Sequence, residues 1–300
     1  IITQIIPLIL FFYHNRRNVN IRLPKILGYK ILNTGFALML YTTSIYMITI
    51  TTRTIVSIFY DVKSMGTYSF ADSLAKGVVM GINAFIFVLQ SKLLSKVSTN
   101  DETQKTIKTI LKIRELYQPN LYLVTFLAIF VLSIFRFLFD EYEFLLQIFS
   151  LILLGNLFLF NTIGYSQLLI SRGKENILVK YGISAVIINI LISLAYSLLK
   201  GKFYFISISM VIAGFIYSVL IIKQGKVIIE QNTSFKNILI ETYPYNHLIP
   251  LLISIADLFV LNVNFSILSL IVYIILSYKN LKRSLRESIN KLLNPNLLKL

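Results

Sequence analysis

Runs of Ile, Leu, Phe and Val, most of them long enough for a helix to cross a bilayer, alternate with short basic segments along the chain. A hydrocarbon core about 30 Å thick takes about 20 apolar residues in a helix. Nine stretches meet or approach that length: roughly 1–13, 31–58, 69–95, 121–139, 144–170, 178–199, 203–222, 247–263 and 264–278. Only Asn262 and Asn264 mark a turn between the last two. The pattern predicts an all-α, polytopic integral membrane protein with about nine transmembrane helices.

The basic residues are divided unevenly among the connections. The segments 14–30, 92–120, 171–180, 223–246 and 279–300 hold 23 of the 29 Lys and Arg, and the intervening connections hold 4. Positive charge is retained on the cytoplasmic side of a membrane. This places the C-terminus in the cytoplasm and Ile1 on the far side. Nine spans put the two ends on opposite faces, so a cytoplasmic N-terminus requires an odd number of spans upstream of residue 1. The opening run "IITQIIPLILFFY" has no basic start and no small-residue cleavage site, so it does not resemble a signal peptide.

Composition agrees with this picture. The chain is 56% hydrophobic and 14% charged, well below the roughly 25% charged of soluble domains. A net charge of +16 raises nucleic acid as a partner. Its division among short loops on one membrane face excludes that. There is no cysteine and there are two histidines, which removes disulfides, thiolate chemistry and His-rich metal centres.

Two basic segments have helical periodicity of their own. In 98–118, Thr99 and Glu102 have capping-box spacing, and Ile107, Ile110, Leu111 and Arg114 share a face. In 278–294, Leu281, Leu285, Ile289 and Leu292 form a stripe opposite Lys and Arg. Both are expected to lie on the anionic inner leaflet.

Polar residues inside the spans are the candidates for function. The span from Ser69 carries Asp72, Lys76, Asn83 and Gln90, and the preceding one carries Gly35, Thr42, Thr49 and Arg53. Spacings of four and seven put each set on one helical face. A charge in the bilayer centre costs about 2.5–3.5 kcal/mol on insertion scales, so such residues face a bundle interior or water. Together they predict a polar cleft walled by Arg53, Lys76, Asp72 and Asn83. Packing roles compete with this. Asp72 and Lys76 are spaced to pair with each other, and Arg53 is near enough to its helix end to snorkel. Arg136 and Asp140 have the spacing of a pair at a helix end, and Asp257 stands alone in "LISIADLFVLN". Asn156, Asn161 and Gln167 either line the cleft or bond neighbouring helices.

The chain has no Gly-rich phosphate loop, no HExxH, no GxSxG and no DxD pattern. No nucleophile or acid–base set is in view, so a non-enzymatic role without cofactor or metal is expected.

The stretch "TTRTIVSIFYDVKSMGTYSFADSLA" (51–75) resembles a segment of polysaccharide flippases. There a helix ends in Arg, a short outer loop follows, and the chain re-enters with a G-x-Y-S-x-A pattern, here Gly66, Tyr68, Ser69 and Ala71. "LLISRGKENILVKYGISAVIINILISLAYSLL" (168–199) is similar to the same family's later cytoplasmic turn. A Gly-Lys turn, Gly173-Lys174, precedes a helix carrying an Asn, Asn189. The family is that of O-antigen and capsule flippases of the Wzx type, in the multidrug/oligosaccharidyl-lipid/polysaccharide (MOP) exporter superfamily. The match rests on order and spacing over about residues 31–222. One position departs from the pattern: Thr52 stands where the family often has Asp.

The resemblance implies two six-helix bundles around a lumen. Residues 1–30 would be the last helix of an incomplete first bundle with its cytoplasmic loop. Residues 31–222 would be the second six-helix bundle, and 223–300 two further transmembrane helices with a basic cytoplasmic tail. It implies translocation of undecaprenyl-pyrophosphate-linked oligosaccharide across the bacterial inner membrane, for lipopolysaccharide O-antigen or capsule synthesis. Arg53 and Lys76 would then counter the diphosphate charge, and Asp72 or Asp257 could titrate. Membrane lipids, a polysaccharide polymerase and a chain-length regulator would be its partners. Two alternatives stay open: a drug or metabolite exporter of the same superfamily, and a membrane-bound O-antigen polymerase or glycosyltransferase. The second lacks the large outer loop that polymerases tend to need.

Overall fold

The computed structural model describes residues 25–99, 103–138, 143–229, 234–260 and 263–293. Ten helices run through them: α1 (Lys25–Phe59), α2 (Val62–Thr99), α3 (Thr103–Leu138), α4 (Glu143–Phe160), α5 (Tyr165–Ser171), α6 (Glu175–Leu198), α7 (Ile208–Ile228), α8 (Phe235–Thr242), α9 (Tyr245–Val260) and α10 (Val263–Leu293). A 3-10 turn at Phe203–Phe205 leads into α7. No strand occurs among the described residues.

Five helical stretches are long and apolar enough to cross a membrane: Ile31–Phe59, Lys105–Phe135, Glu175–Leu198, Phe203–Ile228 and Phe265–Arg286. The expected span 144–170 is not one rod. It is α4 and α5, bent by 44° at a break, and it makes a sixth span if the pair is counted as one. The expected span 69–95 lies within α2, which is not among the five; its described part carries Lys63, Asp72 and Lys76. Helix α9 is apolar but shorter. The expected span 1–13 falls outside the described residues.

Neither basic segment is a separate surface helix. Residues from 103 onward continue into the span as α3, a helix of 36 residues and so about 54 Å long. Pro119 sits inside α3 without ending it, and its carbonyl accepts the Tyr273 hydroxyl of α10 at 2.7 Å. Ile110 and Arg114 are buried. Residues 278–293 likewise continue α10, where Leu281 is buried and Ser284 donates to Asn120 of α3 at 3.3 Å. Burial against a neighbouring helix has replaced burial in the leaflet.

The packing is that of a membrane protein. On α6, Gly182, Ala185, Asn189, Ser193 and Ser197 are buried, while Ile187 and Leu191 on the opposite side are exposed. Large apolar residues suit lipid, so small and polar ones collect between helices and let backbones approach. A Cβ on Gly182 would fall 2.2 Å from the Ser44 hydroxyl of α1, and α1 with α6 is among the most extensive helix pairs, as are α3 with α10, α4 with α7 and α9 with α10.

Asn189 shows what such a polar residue does. It is fully buried. Its amide nitrogen is within bonding reach of the Ile48 carbonyl (2.9 Å) and the Thr51 hydroxyl (3.0 Å) of α1. Its oxygen accepts from Ser209 of α7 (2.8 Å) and Thr52 (3.3 Å). Three helices meet at one side chain, and Thr52 belongs to that junction by hydrogen bonding rather than by charge. Asn189→Leu should lower the stability of the purified protein by about 1–3 kcal/mol, because it strands buried polar groups. A thermal midpoint in detergent equal to wild type would remove that role.

Asp257 is at a second junction. The Ser266 hydroxyl of α10 donates to its carboxylate and is hydrogen-bonded to Ser133 of α3 at 2.7 Å. It ties α9, α10 and α3 together. Arg136 and Asp140 lie outside the described side chains.

Candidate functional site

A cavity of about 500 Å³ lies between α1, α2 and the α4–α5 pair. Helix α1 contributes Thr42 and Thr49, α2 contributes Asp72 and Lys76, and α4–α5 contribute Asn156 and Gln167. The heptad spacing in α1 and α2 thus brings two threonines and two charges onto one wall. Asp72 is 1% exposed. Its Oδ2 accepts from the Lys76 ammonium at 2.5 Å, while its Oδ1 has no hydrogen-bond partner. The Lys76 side chain is about half-exposed, so it holds the carboxylate from the cavity rim.

Arg53 does not join this wall. It is exposed on α1, one turn beyond Thr49, and is not among the residues that line the cavity. Both Arg53 and Asp72 are near enough to the Tyr68 hydroxyl to act on it electrostatically. Asn83 is part of α2, but its side chain, like that of Gln90, lies outside the described residues. Among the described lining residues the acidic and basic side chains are Asp72 and Lys76, bonded to each other.

The far wall of the cavity is the α4–α5 break, and the break has a cause that periodicity does not reveal. Residues 161–164 leave the helix, and Gly164 has φ of +92°, a backbone region that a side chain would strain. The Gly164 N–H donates to the Gln167 side chain at 2.7 Å, which starts α5. Arg114 of α3, 3% exposed, covers the carbonyls set free. Its guanidinium donates to the Asn161 oxygen at 2.8 Å and the Ile163 oxygen at 3.2 Å. The Asn161 amide donates to the Thr242 carbonyl at 2.8 Å and accepts from Gln118 at 2.7 Å. Beside it, Glu241 of α8 pairs with the buried Lys226 of α7 and accepts the Tyr165 hydroxyl. The Arg114 guanidinium lies 5.4 Å from the Tyr165 ring centre.

Of this cluster, Asn161 was a sequence candidate and takes the helix-bonding role of its two alternatives; Arg114, Lys226 and Glu241 were not candidates. The cluster's signal was an arginine on the same face as Ile107 and Ile110, where a surface helix would carry another apolar residue. Helix α5 ends at Gly173, φ +65°, with the Lys174 N–H bonded to the Leu169 carbonyl at 2.8 Å. The Gly-Lys pair is thus a helix stop of the Schellman kind.

Among the described residues, no group of three His, Asp or Glu side chains is placed to hold a metal. The site defines a helical membrane protein with a cavity between its helices whose lining is mostly apolar and carries a set of polar side chains. Comparison with protein-family models, with curated proteins and with solved structures finds no match.

Proposed function

We propose that the chain is a transporter, not an enzyme, that moves the polar head of an undecaprenyl-pyrophosphate-linked oligosaccharide across a bacterial cytoplasmic membrane. It would serve O-antigen or capsule synthesis and hold its C-terminus in the cytoplasm. The observation that carries this reading is the cavity itself: about 500 Å³, in which Thr42, Thr49, Asp72, Lys76, Asn156 and Gln167 are set in an otherwise largely apolar lining. A lipid-linked substrate leaves its tail in the bilayer and needs a polar path only for its head. Lys76 at the rim supplies a cation for the diphosphate. The wall belongs to three separate helical units, which suits rocking of one group of helices against another. The resemblance over residues 31–222 supports the class of cargo.

In the source bacterium stripped of this gene, the wild-type chain should restore surface polysaccharide. Val79→Trp, which fills the cavity from its lining, should leave at least tenfold less polysaccharide while reaching the membrane in equal amount. Surface polysaccharide that does not depend on the chain would sink the proposal.

A further inference from the structure

We infer that the inner wall of this cavity is a saccharide subsite, in which Asp72 accepts hydrogen bonds from the sugar and the diphosphate stays outside at the Lys76 rim. This deepens, and rests on, the transport of a lipid-linked saccharide proposed above.

The hydrogen-bond inventory of the wall decides the ligand class. The Thr42 hydroxyl donates to backbone carbonyls of its own helix, Leu38 or Met39, each at 3.0 Å. Thr162 donates to the Leu159 carbonyl at 3.0 Å. Ser166 has two acceptors in reach, the Thr162 carbonyl at 3.2 Å and the Gln167 side chain at 2.9 Å. The Asn156 amide donates one proton to the Ile152 carbonyl at 2.9 Å, which leaves its second N–H and its oxygen open. A hydroxyl has one proton, and once that is spent only lone pairs remain. These side chains all line the cavity. What the hydroxyls have left is lone pairs, and the Asp72 Oδ1, buried and without a partner, is the strongest acceptor of the wall.

Donors remain as well: Lys76 has N–H groups beyond the one given to Asp72, Gln167 and Asn156 keep amide N–H groups, and the Tyr41 hydroxyl, which accepts from Tyr217 at 3.3 Å, keeps its own proton. A sugar hydroxyl both donates and accepts, so a mixed wall suits it. A diphosphate has only acceptors and several negative charges. Against the inner wall it would meet the buried Asp72 carboxylate, while the exposed part of Lys76 lies at the rim. Burying a charge without a counter-charge is costly. A sugar offers many O–H groups, and an amino or acetamido sugar adds N–H. A site of buried acceptors favours a cargo with donors and rejects an analogue without them. Tyr41 and Phe160 in the lining supply the aromatic surface on which a ring can rest.

The chain has no tryptophan, so Phe160→Trp gives a single fluorescent reporter in the cavity wall. The full chain carrying it, purified in detergent, is titrated with N-acetylglucosamine, glucosamine, inorganic pyrophosphate and tetramethylammonium. Both sugars should shift the emission saturably. Pyrophosphate and tetramethylammonium, which have no donors, should not. Asp72→Leu in this background should weaken sugar binding at least tenfold, and Asp72→Asn, which keeps an oxygen, should weaken it less. Asp72→Leu also frees Lys76, so Asn156→Leu is the second variant. It removes an acceptor without touching charge and should weaken binding several-fold. Saturation by pyrophosphate with silent sugars would overturn the assignment. So would tetramethylammonium binding as well as the sugars do, silence of all four probes, or sugar affinity unchanged in both Asp72→Leu and Asn156→Leu. Sugar binding in a chain on which surface polysaccharide does not depend would remove the transport proposal and leave the subsite. Binding of pyrophosphate alone, with polysaccharide still dependent on the chain, would do the reverse.

Discussion

Arg114→Leu should cost the protein on the order of 2–6 kcal/mol, because it leaves two buried carbonyls without a donor at about 1–3 kcal/mol each. The carbonyls of Asn161 and Ile163 would lose their donor. They sit where the chain has already left the helix, so no i→i−4 partner can replace it. Glu241 and Lys226 would remain paired, but the cation beside the Tyr165 ring would be gone. The measurement is the thermal midpoint of the purified protein in detergent, with the yield of monodisperse material beside it. Arg114→Lys should recover only part of the loss, because one ammonium is a point charge and not a planar fork that spans two carbonyls. Wild-type stability in Arg114→Leu would show that the clamp holds nothing.

The same break connects stability to the cavity on which the proposed transport rests. Residues 161–164 present one side to Arg114 and α8, while Thr162 and Ile163 present another to the cavity. A loosened clamp should therefore change the cavity as well as the melting point.

How much of this was legible beforehand depends on the range of the interaction. The helices could be read because apolar runs respond to a solvent, and the solvent acts on every residue alike. The wall of Thr42, Thr49, Asp72 and Lys76 could be read because heptad spacing is local geometry. Arg53 shares that spacing with Thr49, yet the cavity ends one turn before it; where a cavity stops depends on the helices opposite. The run 144–170 looked continuous because Asn161 and Gly164 are two mild interruptions among apolar residues. Their break is stabilised by Arg114, 47 residues earlier, and by Thr242, 81 residues later. No window of a few turns contains both ends of such a bond. The Asp72–Lys76 pair, by contrast, could be read, because its i,i+4 spacing is local geometry.

Gly214→Leu should be at least as damaging as loss of Arg114, and for a purely steric reason. A Cβ on Gly214 would lie 2.8 Å from the Gly155 carbonyl oxygen of α4 and 3.2 Å from the Phe158 Cβ. The first of those atoms is backbone, so relief requires moving α4 away from α7. Overpacking typically costs about 1–3 kcal/mol, occasionally more, and here even the first added carbon incurs it. A graded loss is expected, with Gly214→Ala reducing the thermal midpoint and Gly214→Leu abolishing folded, monodisperse protein. Gly66→Ala is the counter-test. Nothing lies within 4 Å of a Cβ there, and removing a helical glycine lowers the entropy of the unfolded chain, so stability should stay level or rise by about 0.5–1 kcal/mol. If the two glycines responded alike, the close approach of α4 and α7 would not be what holds this bundle together. Because α4 also carries Asn156 and leads into the break, a shift large enough to seat the leucine would open the far wall of the cavity. If the chain exports polysaccharide as proposed, export should then fall in Gly214→Ala even under conditions where that variant remains folded.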